Sequence, residues 1–218
     1  MLLNGWRSKL KRRFKLTTDS NHRYPVCSNH LNRNFTPKLL DEVWVSDITY
    51  IRTAAGWLYL TTIIDLYDRQ VIGWSLSTRM YADQTIIPAW KMAVSKREIT
   101  ESLLFHSDRG IQYCSDQYQY LLQKCNIKCS MTQNSDPYEN AVAERINGIL
   151  KQEFMIDSYH LELPLMKKLV TQAVSRYNQI RPHWSNNMLT PEMMHLQKNI
   201  KMKTYKTKNR SNLKATSV

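Results

Sequence analysis

From residue 42 the chain reads as alternating strands and helices. VWVSDITYIRT, WLYLTTIIDLY and VIGWSLS are β-branched and aromatic runs, separated by AAG and by Asp68–Arg69. Such runs with short turns between them predict an antiparallel three-strand meander. An amphipathic stretch at 82–97 predicts a helix, with Pro88 either marking its start near Ile87 or kinking it. LLFHS (103–107) and IKCSM (127–131) predict two short strands, with a helix over Ser115–Cys125 between them and Ser115 as its N-cap.

The stretch 135–154, SDPYENAVAERINGILKQEF, predicts a single helix. Asp136 suits the N-cap, Pro137 the first position and Glu139 the third position of a capping box. Val142, Ile146, Ile149 and Leu150 share its apolar face, and Glu144, Gly148 and Lys151 lie in line on another. Pro164–Tyr177 predicts a further amphipathic helix, and Thr190–Pro191–Glu192 caps a last short one. The order is β-β-β-α-β-α-β-α, with no internal repeat. It predicts an α/β fold: a mixed sheet, made of the meander plus two parallel strands, flanked by helices.

Charge adds a second kind of organisation. Residues 1–36 hold eight Lys/Arg and one acid, and residues 198–218 hold seven Lys/Arg and no acid. The segment 37–197 between them holds 16 Lys/Arg and 17 acids, so a near-neutral unit is flanked by two basic arms. Basic arms point to an anionic polymer as partner, nucleic acid ahead of a membrane surface. The final residues, rich in Lys, Asn, Thr and Ser, read as a disordered tail, and most of 16–36 reads as a linker. No window resembles a signal peptide or a membrane span. The four cysteines suggest no disulfide framework, as in a reducing compartment. His22, Cys27 and His30 match no zinc-finger spacing, and Cys125 and Cys129 read as core residues.

The acids then supply candidate chemistry. Asp47 sits between apolar residues in mid-strand, where an unpartnered charge costs several kcal/mol. Asp108 follows the fourth strand, at the end where ligands gather in open α/β sheets, although turn formation with Gly110 also explains it. Glu144 lies on the helix; a solvated face is the alternative there. Asp65 and Asp68 flank a hairpin turn and read as structural, Asp65 being the reserve candidate. Asp116, Asp136 and Glu139 are accounted for as helix-start acids. Three carboxylates from two strands and a helix suit a hard divalent cation.

WVSDITYI, FHSDRGIQY, DPYENAVAERINGILKQEF and YNQIRPHWSNNMLTPEMMH, in that order, resemble the DDE integrase core of bacterial insertion-sequence transposases of the OrfB type, which are related to retroviral integrases. Asp108 and Glu144 have 35 residues between them, as in that group's D,D(35)E signature, and Lys151 follows seven residues after the glutamate. The resemblance covers about residues 5–197. It implies an RNase H-like fold with Asp47, Asp108 and Glu144 as metal ligands for two Mg²⁺ or Mn²⁺ ions. It further implies cleavage of phosphodiester bonds by water, then strand transfer by the freed 3′-hydroxyl. Lys151 and Arg145 would contact DNA, and Arg109, Gln112, Tyr138 and Asn140 would stand beside the site as positioning or DNA-contacting residues.

The implied partners are double-stranded DNA, at element ends and target, and other copies of the chain. The implied location is the bacterial cytoplasm, at the nucleoid. On this reading 1–36 is a basic linker with the remnant of an N-terminal DNA-binding region, 37–197 the catalytic core and 198–218 the tail. The family's helix-turn-helix is represented only by Gly5–Lys15, so an upstream helix-turn-helix partner or a frameshift-fused region is expected. Ser135 replaces a frequent glycine, and Asn186 a common leucine, read as a packing change. A DNA-binding remnant without transposition activity and an RNase H-like nuclease are the alternatives. A two-carboxylate glycosidase fits neither three spaced acids nor basic arms.

Overall fold

A computed structural model describes residues 24–99, 102–133, 136–197 and 200–204. Gly5–Lys15, His22, Ser135 and most of the basic tail lie outside the described residues. Five strands form one sheet: β1 (Val43–Thr53), β2 (Gly56–Asp65), β3 (Val71–Ser77), β4 (Leu104–Ser107) and β5 (Lys128–Met131). Their order across the sheet is β3-β2-β1-β4-β5. β1 pairs antiparallel with β2 and β2 with β3, whereas β4 runs parallel to both β1 and β5. The expected mixed sheet is therefore observed.

Helices cover both faces. On one, α1 (Ile86–Val94), α2 (Ile111–Cys114) and α3 (Asp116–Lys124) enclose Trp44, Ile63, Ile72, Trp90, Phe105 and Tyr118. Trp90 meets Trp44, Phe105 and Tyr118 in tilted or edge-on aromatic contacts, the geometry that the ring quadrupoles favour. Gly73 is what lets α1 lie tight on β3, because a Cβ there would collide with the Ala89 carbonyl. On the other face, α4 (Ala141–Gln152) and α5 (Leu163–Ile180) bury Val45, Leu60, Ile146, Leu150, Val170 and Tyr177. A last helix, α6 (Pro191–His195), starts at Thr190, whose hydroxyl accepts the Met193 amide as a cap should. Among the described residues no helix is long and apolar enough to cross a membrane.

Several expectations need correction. Residues 135–154 do not form one helix. Pro137–Glu139 is a 3-10 turn capped by Asp136, and the α-helix begins only at Ala141, after Asn140 breaks the run at φ −125°. Glu139 does not close a capping box; its carboxylate accepts the Gln133 amide. Ser115 starts α3 without capping it, its hydroxyl donating to the Gln112 carbonyl.

The segment after residue 23 is no free linker. Leu31 is buried in the α4–α5 core with Phe35 packed against it. Cys27 reaches the opposite core and pairs with Cys129 as a disulfide, their Cα atoms 6.0 Å apart. That pairing escaped the cysteine spacing because 102 residues separate the partners. Residues 24–36 thus form a strap around the outer edge of β5. The start of the tail is also held. The Ile200 carbonyl accepts from the Tyr67 hydroxyl, and the Lys203 amide donates to the Ser185 carbonyl.

Candidate active site

Three elements meet at the sheet centre. Asp47 projects from β1 toward α4, Asp108 follows β4, and Glu144 lies in the first turn of α4. Asp47 and Asp108 are half-buried and Glu144 is exposed. Asp47 gains the partner its position demands: Asn147, one helical turn after Glu144, donates to Asp47 Oδ2 at 2.9 Å. The Asn147 amide is itself oriented, because its Oδ1 accepts from the Thr62 hydroxyl at 2.9 Å, and Thr62 lies directly across from Asp47 in the β1–β2 pair. Asp108 Oδ1 accepts the Gly110 amide at 3.0 Å, so this residue shapes its turn as well as facing the site. A Cβ on Gly110 would sit 3.1 Å from that oxygen, closer than packed atoms comfortably allow.

The charge of Asp108 reaches Asp47, and the charges of both reach Glu144. Desolvation pushes Asp47 from 3.8 up to about 6, with Asp108 adding to it and Asn147, the Ile48 amide and Lys151 opposing it. Desolvation likewise lifts Glu144 from 4.5 to about 7, helped by the charges of Asp47, Asp108 and Asp136. The like-charge part of these shifts places Asp47 and Glu144 within electrostatic reach of Asp108. As they stand, no three His, Cys, Asp or Glu side chains among the described residues are arranged to hold a metal ion. The donor set is nevertheless all oxygen, the type that hard divalent cations take.

The other site candidates divide by what their side chains already do. Lys151 donates to the Tyr50 carbonyl at 2.7 Å and pairs with Asp157 at 3.7 Å, so it is anchored to β1 while lowering the Asp47 carboxyl. Arg145 is exposed and only loosely paired with Glu153, at 3.6 Å. Tyr138 is 71% exposed on the turn before α4. Arg109 is partly buried, its guanidinium donating to the Thr132 carbonyl. Gln112 is half-buried, with its amide oxygen close to Gly110. Asn140 is 3% exposed, and its amide donates to the Ser46 carbonyl beside Asp47. That bond fixes the entry of α4 onto β1.

Sequence reasoning passed over Asn147 and His106. Asn147 was legible as a polar residue amid the buried positions of α4. His106 is wholly buried between Phe105 and Ser107, and its imidazole is driven down to about 4 by desolvation. Asp65 and Asp68, expected to be structural, are wholly buried beside Arg97, away from the triad. Asn186 is not a packing replacement; its amide donates to the Asp68 carbonyl at 2.7 Å.

Two family models, both described as integrase core domain, match residues 40–137 and 125–191. The chain is 38% identical over 189 residues to "Transposase InsF for insertion sequence IS3A" of Escherichia coli (strain K12), covering 86% of this chain and 65% of that protein. It is 40% identical over 147 residues to "Insertion element IS600 uncharacterized 31 kDa protein" of Shigella sonnei, covering 67% of this chain and 54% of that protein. The chain thus spans less than two thirds of the length of these relatives. Among solved structures, a chain of the simian T-cell lymphotropic virus intasome in complex with PP2A regulatory subunit B56 gamma superposes with TM-score 0.65 at 18% identity, over 87% of this chain and 65% of that one. The HTLV-2 integrase catalytic core domain in complex with magnesium, in its trimeric form, superposes with TM-score 0.58 at 21% identity, over 72% of this chain and 98% of that one. The fold is that of retroviral integrase cores.

Proposed function

From the two overlapping integrase core domain matches over 40–191, we propose that this chain is a member of that family and the catalytic part of an insertion-sequence transposase. On this reading residues 37–197 cut DNA at the element's ends and join the ends to a target. The observation that carries it is the convergence of Asp47, Asp108 and Glu144 from β1, the end of β4 and α4, with the Asp108 charge helping to lift Asp47 and the charges of both helping to lift Glu144. These three would hold Mg²⁺ or Mn²⁺, two ions in the complete site. Bound there, divalent ions activate the attacking oxygen and stabilise the leaving one. Binding them requires the side chains to turn inward, and Glu144, the exposed member, has the freedom to do so.

The chain's own residues supply the rest. Asn147 fixes the Asp47 carboxylate, the Gly110 amide fixes Asp108, and Lys151 places a positive charge beside both the site and the DNA path. Arg145, Tyr138, Arg109 and Gln112 border that path. Gly148 leaves open space on the α4 face between Glu144 and Lys151, where a sugar-phosphate backbone would run. The basic arms would add salt-sensitive affinity for the polymer. Assembly with further copies on DNA, an upstream helix-turn-helix partner and work at the nucleoid belong to the same reading. The direct test is a joining assay on candidate end oligonucleotides with Mg²⁺ or Mn²⁺. Failure to cut or join any such end, with DNA still bound, would favour the inactive DNA-binding reading.

The charges also predict how cation binding depends on pH. Asp47 and Glu144 titrate above their ordinary values in the folded protein, so the stability they lend is greatest in acid. It is lost as pH rises through about 4 to 7. Metal-free protein will melt lower at pH 8 than at pH 5. Mg²⁺ at ten times its dissociation constant will raise the melting temperature at pH 8 by about 3 °C or more, and by less at pH 5, where protons compete. Equal shifts at both pH values would count against the carboxylate site.

Asn147→Ala removes the hydrogen bond that steadies Asp47. The Mg²⁺ concentration for half-maximal activity will rise by about tenfold, the usual effect of deleting such an outer partner. Calorimetric titration with Mg²⁺ checks it independently of catalysis.

A further inference from the structure

His106 lies two residues before Asp108, wholly buried, and both ring nitrogens are engaged. Nε2 is 3.0 Å from the Glu139 carbonyl oxygen, in the turn that launches α4. Nδ1 is 2.8 Å from Ser130 Oγ on β5. Ser130 Oγ also accepts two backbone amides from the strap, His30 at 2.9 Å and Leu31 at 3.2 Å.

The donors and acceptors in this group permit one assignment. A carbonyl oxygen only accepts, so Nε2 carries the ring proton and gives it to Glu139. Both lone pairs of the Ser130 hydroxyl are taken by the strap amides, so that hydroxyl donates its own proton to Nδ1. The imidazole is thereby held neutral and in one tautomer, with every donor matched to an acceptor. The polar chain runs from the strap through Ser130 and His106 to Glu139. From there the backbone leads directly to the site. Asn140, the next residue, donates to Ser46 beside Asp47, and its carbonyl accepts the Glu144 amide at 3.2 Å.

We propose that His106 is a positioning residue for Glu144: it ties the turn at 137–140 to β4 and, through Ser130, makes that tie depend on the seating of His30 and Leu31. The consequence for catalysis rests on the transposase reading; the structural linkage does not. A strap that is unseated takes two amides from Ser130, frees its hydroxyl to turn away, and loosens the turn that aims Glu144. Whatever displaces or orders His30 and Leu31 then acts on the active site through four hydrogen bonds.

Two substitutions separate the halves of the imidazole. The amide nitrogen of glutamine reaches the Nε2 position, so His106→Gln keeps the bond to Glu139. Asparagine reaches only the Nδ1 position, so His106→Asn keeps the contact with Ser130 and loses the turn. Amide hydrogen exchange in residues 137–147 of the full chain, read by mass spectrometry, will be about tenfold faster in His106→Asn and near wild type in His106→Gln. Joining at saturating DNA will fall about 10²-fold in the asparagine variant, the scale of a misplaced catalytic group, with KM for DNA within about twofold. Ser130→Ala will quicken exchange both in 137–147 and in 27–33.

Equal behaviour of the two His106 variants overturns the proposal, and so does exchange that rises evenly across β4, β5 and the turn. If the wild-type chain joins no DNA, it is the functional reading that fails, and the exchange contrast decides the positioning role by itself. If His106→Asn does not fold, Ser130→Ala set against His106→Gln decides it.

Discussion

Asp108→Asn will abolish metal-dependent cutting and joining, lowering both by at least about 10³-fold, because stabilisation by a bound metal is worth several kcal/mol. Non-specific DNA binding will stay within about twofold of wild type, since the cationic arms are untouched. The fold will survive. Asparagine keeps an oxygen able to accept the Gly110 amide, as Asp108 does in its turn. The asparagine also removes one of the charges that lift Asp47 and Glu144. Both carboxyls will therefore titrate lower, and the metal-free variant will lose less stability than wild type between pH 5 and pH 8. Joining that persists in the variant would remove Asp108 from the triad. Lost activity with an unchanged pH profile of stability would place Asp108 outside the charge cluster.

Arg97→Leu will be the most damaging change to stability. The Arg97 side chain is 4% exposed and lies 2.6 Å from Asp68, and 3.7 Å from both Asp41 and Asp65. It also donates to the Gln70 side chain. Removing it strands buried carboxylates, which costs about 3–5 kcal/mol. In a chain of this size that is a drop of about 10 °C in melting temperature. The loss will be larger at pH 8 than at pH 5. Desolvation, reinforced by Asp68, holds the Asp65 carboxyl well above its ordinary value, so the folded state gains by taking up a proton as pH falls. Adding Asp68→Asn to Arg97→Leu will restore part of the stability. A loss under about 1 kcal/mol in thermal or urea melts would mean that the remaining neighbours, Arg69 and His195, suffice.

The strands were legible because their signal is local. VWVSDITYIRT and VIGWSLS become β1 and β3 with the same bounds, and the alternation of small turns and apolar runs leaves few other pairings. The carboxylates were legible because Asp47 violates the apolar pattern around it and the others lie at element ends. What escaped depends on contacts made across the fold. The break at Asn140 goes with its bond to Ser46, 94 residues away, a contact that no local pattern shows. Asp65 and Asp68 look like ordinary turn residues until Arg97, 29 residues from Asp68, is brought against them. α2 is four residues long, too short to show a period. Cys27 and Ser130 acquire meaning only once the strap passes over β5.

The strap has a bearing on how this protein can be handled. β5 stands last in the sheet, and among the described residues no strand pairs with its outer side. Residues 24–36 lie over that side through Leu31, Phe35 and Cys27, but contribute side chains and two amides aimed at Ser130, not a sixth strand. An uncovered edge is a template for pairing with another chain. A fragment cut at residue 37, where the charge pattern alone would place the start of the catalytic unit, would keep all three acidic residues and expose β5 along its length. Such a fragment will aggregate where one beginning at residue 24 stays dispersed, so the minimal soluble unit is set by edge protection and begins ahead of the minimal chemical one.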